Sequence, residues 1–486
     1  MTKWMNKSIS SLHDLLVKGK VTASELVEDC IQAIGKDRCN SFEATCFDKA
    51  REEAKKIASV KEEEYLKGIP FLAKDNFSTR GVETTGSSKI LEGYVPLYDA
   101  TAVSRLKRAG MILVAKTTMD ELAMGGTGTT GHKGVTTNPY DKTRIVGGSS
   151  CGSAAAVSQG IAPLALGSDT GDSVRKPASY SQTVGYKATW GRISRFGLFP
   201  FATSLDAVGF FTRNVKDAAY VLSALAGHDT MDMSSSYRKK ERYQNYVLEH
   251  RTLKRVGYFK SVLEAMKDET IKAAYLDLLH SLSEKGYEVI EYDYPEALLD
   301  ALYPTYMILS CAESTSNNAN LDGIRFGPKA KGECKTYEEY MTRARTDGFS
   351  DMIKRRFVIG GFSLLSANQS EMFNRAQKAR RLIVDEMNKF FDSIDYLVLP
   401  ASYDKPKKID ELSTAWSTKP DFLDNILTIG NFGGYPSLTL PLGVEDGLPF
   451  GINITGRIFE DGYVLSMGNE IESIVKRKDI IAKEVK

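Results

Sequence analysis

Two loops rich in glycine and serine carry the residues best suited to chemistry. They are GGSSCGS at 147–153 and GSDTGDS at 167–173, separated by a helix of small residues and a strand. Consecutive glycines let backbone N–H groups turn toward one point, as an oxyanion hole requires. Ser173, at the end of the second loop, is placed as a nucleophile would be. A pair of tight turns without chemistry is the alternative that the loops alone leave open.

Three nucleophile schemes compete for these residues. The pattern G-x-S-x-G around Ser150 matches a nucleophile elbow, but the elbow needs a strand directly before it and 144–147 is a poor strand. Ser173 and Lys176 match the S-x-x-K pattern of penicillin-binding proteins, but no S-D-N or K-T-G follows in a suitable context. Both matches look accidental, which leaves a scheme that uses a more distant lysine.

That lysine is Lys74, which ends the apolar segment GIPFLAKDNF. Lysine is seldom buried unless it is used or paired, although a strand-end lysine can also reach water with its charged tip. Burial disfavours the ammonium, and a pKa that falls from ~10.4 to ~7.5 corresponds to roughly 4 kcal/mol. Such an amine can act as general base toward a serine. No histidine lies between residues 144 and 213, which favours this scheme.

The elements that must position these loops follow an alternating pattern. From about residue 68, short apolar strands alternate with helices, and one helix is predicted at 274–285, ended by Gly286. Before them, Thr22 and Glu25 form a capping box that opens an N-terminal helix. The alternation predicts an α/β fold with helices on both faces of a large sheet. The predicted strands are 69–73, 111–115, 163–166, 256–259, 288–292, 396–399, 437–440 and 450–454.

The loop region closely resembles the signature of a known family. The stretch GGSSCGSAAAVSQGIAPLALGSDTGDSVRKPASY is similar to that of the amidase signature family, whose Lys–Ser–Ser triad falls on Lys74, Ser149 and Ser173. The resemblance implies that Ser173 attacks an amide. It also implies that Ser149, which follows a cis peptide bond in the family, relays the proton to Lys74. The implied fold is the amidase-signature fold, a large mixed β-sheet covered by helices on both faces. We expect one domain over 1–486.

That domain would comprise an N-terminal helical segment (1–65), the signature core (66–215) and the rest of the sheet with its covering helices (216–486). The same resemblance implies that the N–H groups of Thr170, Gly171 and Asp172 form the oxyanion hole.

Three residues depart from the family's pattern. The family usually has glycine where this chain has Cys151 and Asp172, and glutamine where it has Lys176. Asp172 matters most, because a non-glycine residue restricts φ and its carboxylate must point away from the oxyanion. With an ordinary φ, that carboxylate can turn toward Arg175 or Lys176.

Other segments narrow the resemblance to one branch of the family. TTMDELAMG (117–125), KATWGRISRFGLFPFATSLD (187–206), SNNANLDGIRFG (316–327) and NFGGYPSLTLPLG (431–443) resemble A subunits of glutamyl-tRNA(Gln) amidotransferases. This branch implies a glutaminase that supplies ammonia for converting Glu-tRNA(Gln) to Gln-tRNA(Gln). Two alternatives stay open: a stand-alone amidase acting on another small amide, and a catalytically weak scaffold subunit, which Asp172 keeps in view.

The branch also implies residues that hold free glutamine. The matching positions are Tyr306, Asp424 and one arginine of the KRR run, for which Arg355 is preferred over Arg356. A guanidinium on the α-carboxylate and a carboxylate on the α-ammonium are what a free amino acid demands.

Cofactor and partner predictions follow from the resemblance and from composition. The resemblance implies a B subunit that receives ammonia through a tunnel and a small C subunit that clamps the pair. The resemblance also implies that ATP and Mg²⁺ are used on the B subunit, and the lack of a P-loop in this chain is consistent with that. No cofactor is expected in this chain. Six cysteines without a CxxC pair and five scattered histidines predict no metal site.

Composition also bears on localisation. A net charge of +2 favours neither nucleic acid nor membrane as a direct partner. No stretch approaches the ~18 apolar residues of a membrane span. The N-terminal residues have no apolar core of a signal peptide, and the unpaired cysteine pattern is typical of a reducing compartment. We therefore predict a cytoplasmic protein without a membrane partner.

Overall fold

The computed structural model describes residues 3–412 and 421–483. In these residues one mixed sheet of eleven strands has the order β1-β3-β2-β4-β6-β5-β10-β11-β9-β7-β8. The strands are β1 Phe42–Thr45, β2 Pro70–Lys74, β3 Ile112–Thr117, β4 Ala165–Asp169, β5 Val184–Lys187, β6 Ala207–Thr212, β7 Arg255–Phe259, β8 Glu288–Tyr292, β9 Tyr396–Pro400, β10 Ser437–Glu445 and β11 Leu448–Gly456.

Helices cover this sheet and connect its strands. The α-helices are α1 Ile9–Val17, α2 Ala23–Ile34, α3 Phe47–Lys55, α4 Thr101–Arg108, α5 Cys151–Ser158, α6 Arg175–Ser181, α7 Val215–Leu225, α8 Tyr243–Leu248, α9 Lys260–Ala265, α10 Glu269–Glu284, α11 Glu296–Asp300, α12 Leu302–Asn317, α13 Tyr337–Gly348, α14 Asp351–Leu364, α15 Arg375–Ser393, α16 Ile429–Phe432 and α17 Asp461–Val475. Short 3₁₀ helices lie at Lys89–Leu91, Glu121–Ala123 and Phe422–Thr428, and a π-helical turn at Ser370–Asn374.

The direction of three strands decides where the chemistry can lie. β2 pairs in parallel with both β3 and β4, while β4 pairs antiparallel with β6. The carboxyl ends of β2, β3 and β4 therefore meet at one edge of the sheet. Lys74 ends β2 and Asp169 ends β4, so the second glycine-rich loop starts beside Lys74. This edge is where ligands bind in open α/β sheets.

Helix α5 brings the first glycine-rich loop to the same edge. All its residues, CGSAAAVS, are buried, and their small side chains let the helix backbone approach the sheet closely. The helix begins at Cys151, so the last three residues of the GGSSCGS segment form its first turn, and it ends at Ser158. The helix of small residues expected from the sequence is thereby confirmed.

All the predicted strands are present, with ends that differ by one to a few residues. Three further strands, β1, β5 and β6, were not predicted. β5 (VGYK) has only four residues and ends in a buried lysine, which interrupts its apolar character. The α/β prediction with a large mixed sheet is confirmed.

Two helix predictions are also confirmed. The Thr22 side chain accepts a hydrogen bond from the Glu25 N–H, and Glu25 accepts one from the Thr22 N–H, which completes the capping box of α2. The helix predicted at 274–285 is the later part of α10. It begins earlier because the Asp268 side chain accepts hydrogen bonds from the N–H groups of Thr270 and Ile271.

Within the described ranges, no helix is both long enough and apolar enough to cross a membrane. The same ranges contain no group of three or more His, Cys, Asp or Glu side chains that could hold a metal ion.

Candidate active site at the end of strands β2 and β4

Lys74 lies at the centre of the site. Its side chain is fully buried, and Nζ is 2.7 Å from Ser149 Oγ. Nζ also donates to Ser168 Oγ at 2.9 Å and lies 3.4 Å from the Ser168 carbonyl oxygen. Asn76 Nδ2 donates to the same Ser168 hydroxyl at 2.9 Å. These contacts fix the amine against Ser149, as the lysine–serine scheme requires.

Burial sets the protonation of this lysine. Removal from water lowers the pKa of Lys74 to about 7, although Cys151 and the carboxylates of Asp120, Asp169 and Asp206 act in the opposite direction. Desolvation prevails because no carboxylate pairs directly with the amine in the described residues. A substantial neutral fraction is therefore present near pH 7, in agreement with the shift expected from the sequence.

The first loop presents Ser149 in an unusual backbone. The Gly148–Ser149 peptide bond is cis, as the family resemblance implied. The Gly148 N–H donates to the Gly126 carbonyl at 2.9 Å, and the Asp120 N–H donates to the Ser149 carbonyl at 3.1 Å. A Cβ on Gly148 would overlap Asp120 Oδ2, so only glycine fits at this position. The loop that follows β3 therefore holds Ser149 in place.

Ser150 is occupied elsewhere, which argues against the nucleophile elbow. Its hydroxyl donates to the Ser168 carbonyl at 3.1 Å and accepts from the Ser168 N–H at 3.3 Å. The residue is fully buried at the start of α5. Ser150 thus ties the first loop to β4.

The second loop is held by a buried charged network. Arg175 donates through Nη2 to Asp169 Oδ1 at 2.9 Å, to the Gly171 carbonyl at 2.6 Å and to Asn431 Oδ1 at 2.6 Å. Asp169 Oδ2 also accepts from the Val174 N–H at 2.9 Å. Burial opposes ionisation of Asp169, but Arg175 prevails and lowers the pKa of that carboxyl below its usual value. The network fixes both sides of the nucleophile position.

Ser173 is nearly buried at the start of α6, and its carbonyl accepts a hydrogen bond from the Ser150 N–H at 3.2 Å. Within the described residues, Ser173 Oγ makes no hydrogen bond, so its link to Ser149 stays a prediction. In the same residues, the N–H groups of the predicted oxyanion-hole residues Thr170, Gly171 and Asp172, and that of Ser173, donate to no protein acceptor. They are therefore available to a developing oxyanion.

Thr170 and Gly171 pack against two different neighbours. The Thr170 hydroxyl donates to Asp206 Oδ1 at 2.6 Å, and burial raises the pKa of Asp206 to about 6. A Cβ on Gly171 would come within 3.0 Å of Tyr306 Cζ, so glycine allows the tyrosine ring to lie on the loop. Tyr306 on α12 is thus brought next to the predicted oxyanion hole.

The structure favours Arg356 over Arg355 as the arginine that faces this site. The Arg356 guanidinium lies 5.7 Å from the Phe201 ring centroid, and Nη1 lies 4.0 Å from Met307 Sδ, next to Tyr306 in the chain. Its Nε is buried without a hydrogen-bond partner in the described part of the chain. Arg355 is exposed and lines a groove with Asp351, Val358 and others on the outer face of α14. Adjacent helical residues point about 100° apart, so only one of the pair can face the site.

Asp424, in the 3₁₀ helix Phe422–Thr428, is already close to two ammonium groups. Its carboxylate lies 3.8 Å from Lys176 Nζ and 3.6 Å from Lys407 Nζ. The charge of Lys176, and then that of Lys407, lowers the pKa of Asp424, although its partial removal from water acts in the opposite direction. Lys176 also lies 3.5 Å from Asp172 Oδ2. Asp172 does not have positive φ, so the backbone accepts it without strain and its side chain turns toward Lys176.

Arg175, the other cation expected near Asp172, is held by Asp169 instead. Cys151, the third departure, is buried where Gly128 leaves room for its Cβ. Burial raises the pKa of its thiol to about 12, so the thiol stays protonated.

Sequence reasoning assigned no role to Ser168, Asn76, Asp169 or Asn431, and it considered Asp206 only as the acid of the rejected nucleophile-elbow scheme. Ser168 and Asp169 lie in the GSDTGDS loop, and their short polar side chains after a buried strand were the available signal. Asn431 is distant in sequence and reaches the loop only through the fold.

Comparison with known proteins decides the family. A family model described as Amidase matches residues 25–465. The chain belongs to the amidase family. The matched range contains all three segments that supply the lysine and the two serines of the predicted triad.

Within the amidase family, this chain is similar to the following two relatives and one solved structure. It is 37% identical to the A subunit of the glutamyl-tRNA(Gln) amidotransferase of Listeria monocytogenes serotype 4b (strain CLIP80459), over 96% of each chain. It is 36% identical to the protein of that name from Persephonella marina, over 98% of each. The crystal structure of the Thermotoga maritima protein of that name aligns with TM-score 0.81 and 31% identity, covering 99% of this chain and 98% of that one.

Proposed function

We propose that this chain is the glutaminase subunit of a glutamyl-tRNA(Gln) amidotransferase, which hydrolyses glutamine to supply ammonia for Gln-tRNA(Gln) synthesis. The observation that carries the proposal is the 2.7 Å contact between buried Lys74 and Ser149, in a chain 37% identical to the A component of such an enzyme over nearly its whole length. The unpaired N–H groups of residues 171–173, within the described ranges, support an acyl-transfer reaction at the neighbouring Ser173.

The proton pathway follows from the valence of a neutral amine. Such an amine has two N–H donors and one lone pair. In our proposal Lys74 directs its N–H groups at the Ser168 hydroxyl and carbonyl, and its lone pair accepts the proton of Ser149. Ser149 in turn takes the proton of Ser173. This makes Ser168 a positioning residue, which orients the lysine without touching the substrate.

The bond changes then balance as follows. Ser173 Oγ attacks the side-chain amide carbon of glutamine, and the C=O electrons move onto oxygen, near the N–H groups of Gly171, Asp172 and Ser173. The tetrahedral intermediate collapses as Ser149 donates a proton to the leaving nitrogen and is reprotonated by Lys74, so ammonia departs and a γ-glutamyl ester remains on Ser173. Water, deprotonated through the same residues, cleaves the ester to glutamate.

Substrate recognition uses the residues around Tyr306. Arg356 would bind the α-carboxylate, because its buried unpaired Nε is a donor that such a group would satisfy. Asp424 would bind the α-ammonium. Tyr306 packs on Gly171 and would align the substrate with the oxyanion hole.

The remaining steps belong to partner subunits. Ammonia would pass to a B subunit that uses ATP and Mg²⁺ on Glu-tRNA(Gln), with a C subunit completing a cytoplasmic complex. This chain supplies neither nucleotide nor metal chemistry in the proposal.

The test is reconstitution of the chain with the subunits that co-purify with it from its native cell. We expect glutamine-dependent formation of Gln-tRNA(Gln), lost in Ser173→Ala while ammonium chloride still supports it. A wild-type complex that uses only ammonia would mark the chain as a scaffold. Hydrolysis of other amides without glutaminase activity would mark it as a stand-alone amidase.

A further inference from the structure

The Lys176 ammonium lies between two carboxylates. Nζ is 3.5 Å from Asp172 Oδ2 and 3.8 Å from Asp424 Oδ1, and it donates to the Asp424 carbonyl at 3.1 Å. Only 16% of the Lys176 side chain is exposed. Lys407 approaches Asp424 at 3.6 Å, and its side chain is 50% exposed. One inner and one outer cation therefore share the same carboxylate.

This arrangement lies directly beside the reacting atoms. Asp172 directly precedes Ser173, the proposed nucleophile. Helix α6 begins two residues after Ser173, and Lys176 lies in its first turn. Asp424 is the carboxylate to which the proposed function assigns the substrate's α-ammonium. The Lys176 ammonium and the substrate ammonium thus compete for one partner.

Lys176 competes with the substrate ammonium only if it is protonated. Burial acts to lower the pKa of Lys176, but Asp172 and Asp424 outweigh it and raise that pKa above its usual value. Lys176 is consequently a cation at neutral pH. With the substrate ammonium, Asp424 would face three cations, because Lys407 already contacts it. Pairing Lys176 with Asp172 alone distributes the three cations over two carboxylates and lowers their mutual repulsion.

We propose that Lys176 determines specificity, by bridging Asp172 and Asp424 in the unliganded enzyme and by releasing Asp424, to pair with Asp172 alone, when an amino-acid amide brings its α-ammonium to Asp424. This inference rests on the proposed function and names its substrate class. Both carboxylates are already within 4 Å of Nζ, so the exchange requires only a side-chain rotation. Asp172 and Lys176 then act together, which explains why both positions differ from the family's usual residues.

The experiment compares glutamine with glutaramate, the same amide without the α-amino group. Both affinities are measured by calorimetry on the full chain in its complex, in a Ser173→Ala background that prevents turnover. The readout is the ratio of the glutaramate Kd to the glutamine Kd. We expect Lys176→Gln to raise this ratio on the order of tenfold, since one competing cation is removed. Lys176→Met, which keeps an unbranched apolar stem, should act in the same direction.

Asp172→Asn provides the second half of the cycle. It should lower the ratio on the order of tenfold when Lys176 is present, because the displaced ammonium loses its second carboxylate. In the Lys176→Gln background, the same change should alter the ratio by less than about twofold, which is the coupling that a double-mutant cycle measures. The matched control is Lys407→Gln, which removes a cation from the same carboxylate on its solvent side. Screening there should limit its effect to about threefold.

Three outcomes would overturn the inference: an unchanged ratio in both Lys176 variants, equal changes in the two affinities, or additive effects of Asp172→Asn and Lys176→Gln. Glutaramate binding with no glutamine binding in any variant would contradict the proposed function and the inference together. Glutamine binding without glutamine-dependent ammonia release in the Ser173-containing complex would contradict the proposed function alone. Failure of both ligands to bind any variant would overturn both.

Discussion

The nucleophile side of the site is closed to water, whereas the substrate side is partly open. Lys74, Ser149 and Ser168 each have at most 3% of their surface exposed, and their contacts come from strand ends and a tightly packed helix. On the other side, 49% of the Asp424 side chain is exposed; Asp424 lies in the 3₁₀ helix Phe422–Thr428, and Arg356 lies on α14. Burial determines the protonation of Lys74 on the nucleophile side. On the substrate side, competing ion pairs determine which cation contacts Asp424.

The difference teaches how one site can combine fixed chemistry with adjustable specificity. A neutral lysine needs a dry setting without a directly paired carboxylate, because hydration or an adjacent negative charge would raise its pKa. The charged groups of the substrate bind and dissociate in every turnover. The protein residues that pair with them are therefore better placed near the surface, where ion pairs are weak and exchangeable. The departures from the family at Asp172 and Lys176 fall on the adjustable side.

The largest expected effect separates two neighbouring serines on the closed side. Ser149→Ala should lower glutaminase kcat by about 10³-fold or more, because it interrupts the proton pathway. Ser150→Ala deletes the same hydroxyl one residue later, where it only joins the loop to the Ser168 backbone. It should cost less than about tenfold in kcat, as steady-state ammonia release would measure. Comparable losses in the two variants would contradict the assignment of Ser149 as the relay.

A medium effect separates two neighbouring arginines on the open side. Arg356→Met should raise KM for glutamine by roughly 10- to 100-fold, the value of a charge-assisted hydrogen bond of about 1.5–3 kcal/mol. Arg355→Met removes the same charge from the outer face of α14 and should change KM by less than about twofold. Initial rates over a range of glutamine concentrations measure both. A larger KM change in Arg355→Met than in Arg356→Met would show that Arg355, the arginine preferred from the sequence, binds the α-carboxylate of glutamine.

The smallest effect is the response to salt. Raising NaCl from about 0.05 M to about 0.5 M should raise KM for glutamine by about two- to threefold, because screening weakens ion pairs at Asp424. The buried contact between Lys74 and Ser149 is shielded from salt, so kcat should stay within about 30%. Repeating the series with potassium acetate controls for a specific chloride effect. A fall in kcat at constant KM would contradict this prediction, because it would show that salt acts on the Lys74–Ser149 side and not on the substrate side.

Sequence reasoning reached the closed side more completely than the open side. The strands that end near Lys74 are continuous apolar runs, and the glycine-rich loops mark their own positions through residue type. Strand β5 was missed because a buried lysine, Lys187, stands at its end in place of an apolar residue, whereas nothing in its composition explains why β6 was missed. The triad positions came from the family resemblance, and their catalytic roles stay predictions.

On the open side, contacts depend on rotation and on distant pairings. Arg355 and Arg356 cannot be distinguished by spacing, since one residue along a helix turns the side chain by about 100°. The contact of Lys176 with Asp424 joins residues 248 positions apart, and that of Arg175 with Asn431 joins residues 256 apart. Neither pairing leaves a local pattern, so only the fold could reveal them.

The central claim is that buried, neutral Lys74 removes the proton that activates the serine pair. Its basic form appears as the pH rises through the pKa of about 7, so general-base catalysis must increase in that range. The decisive measurement is the pH dependence of glutaminase kcat/KM in the wild-type complex and in Lys74→Ala. We predict that the wild-type value rises with an apparent pKa near 7 to a plateau, and that Lys74→Ala loses at least about 10³-fold in activity together with this rise. Wild-type turnover in Lys74→Ala, with the same rise through pH 7, would contradict the account.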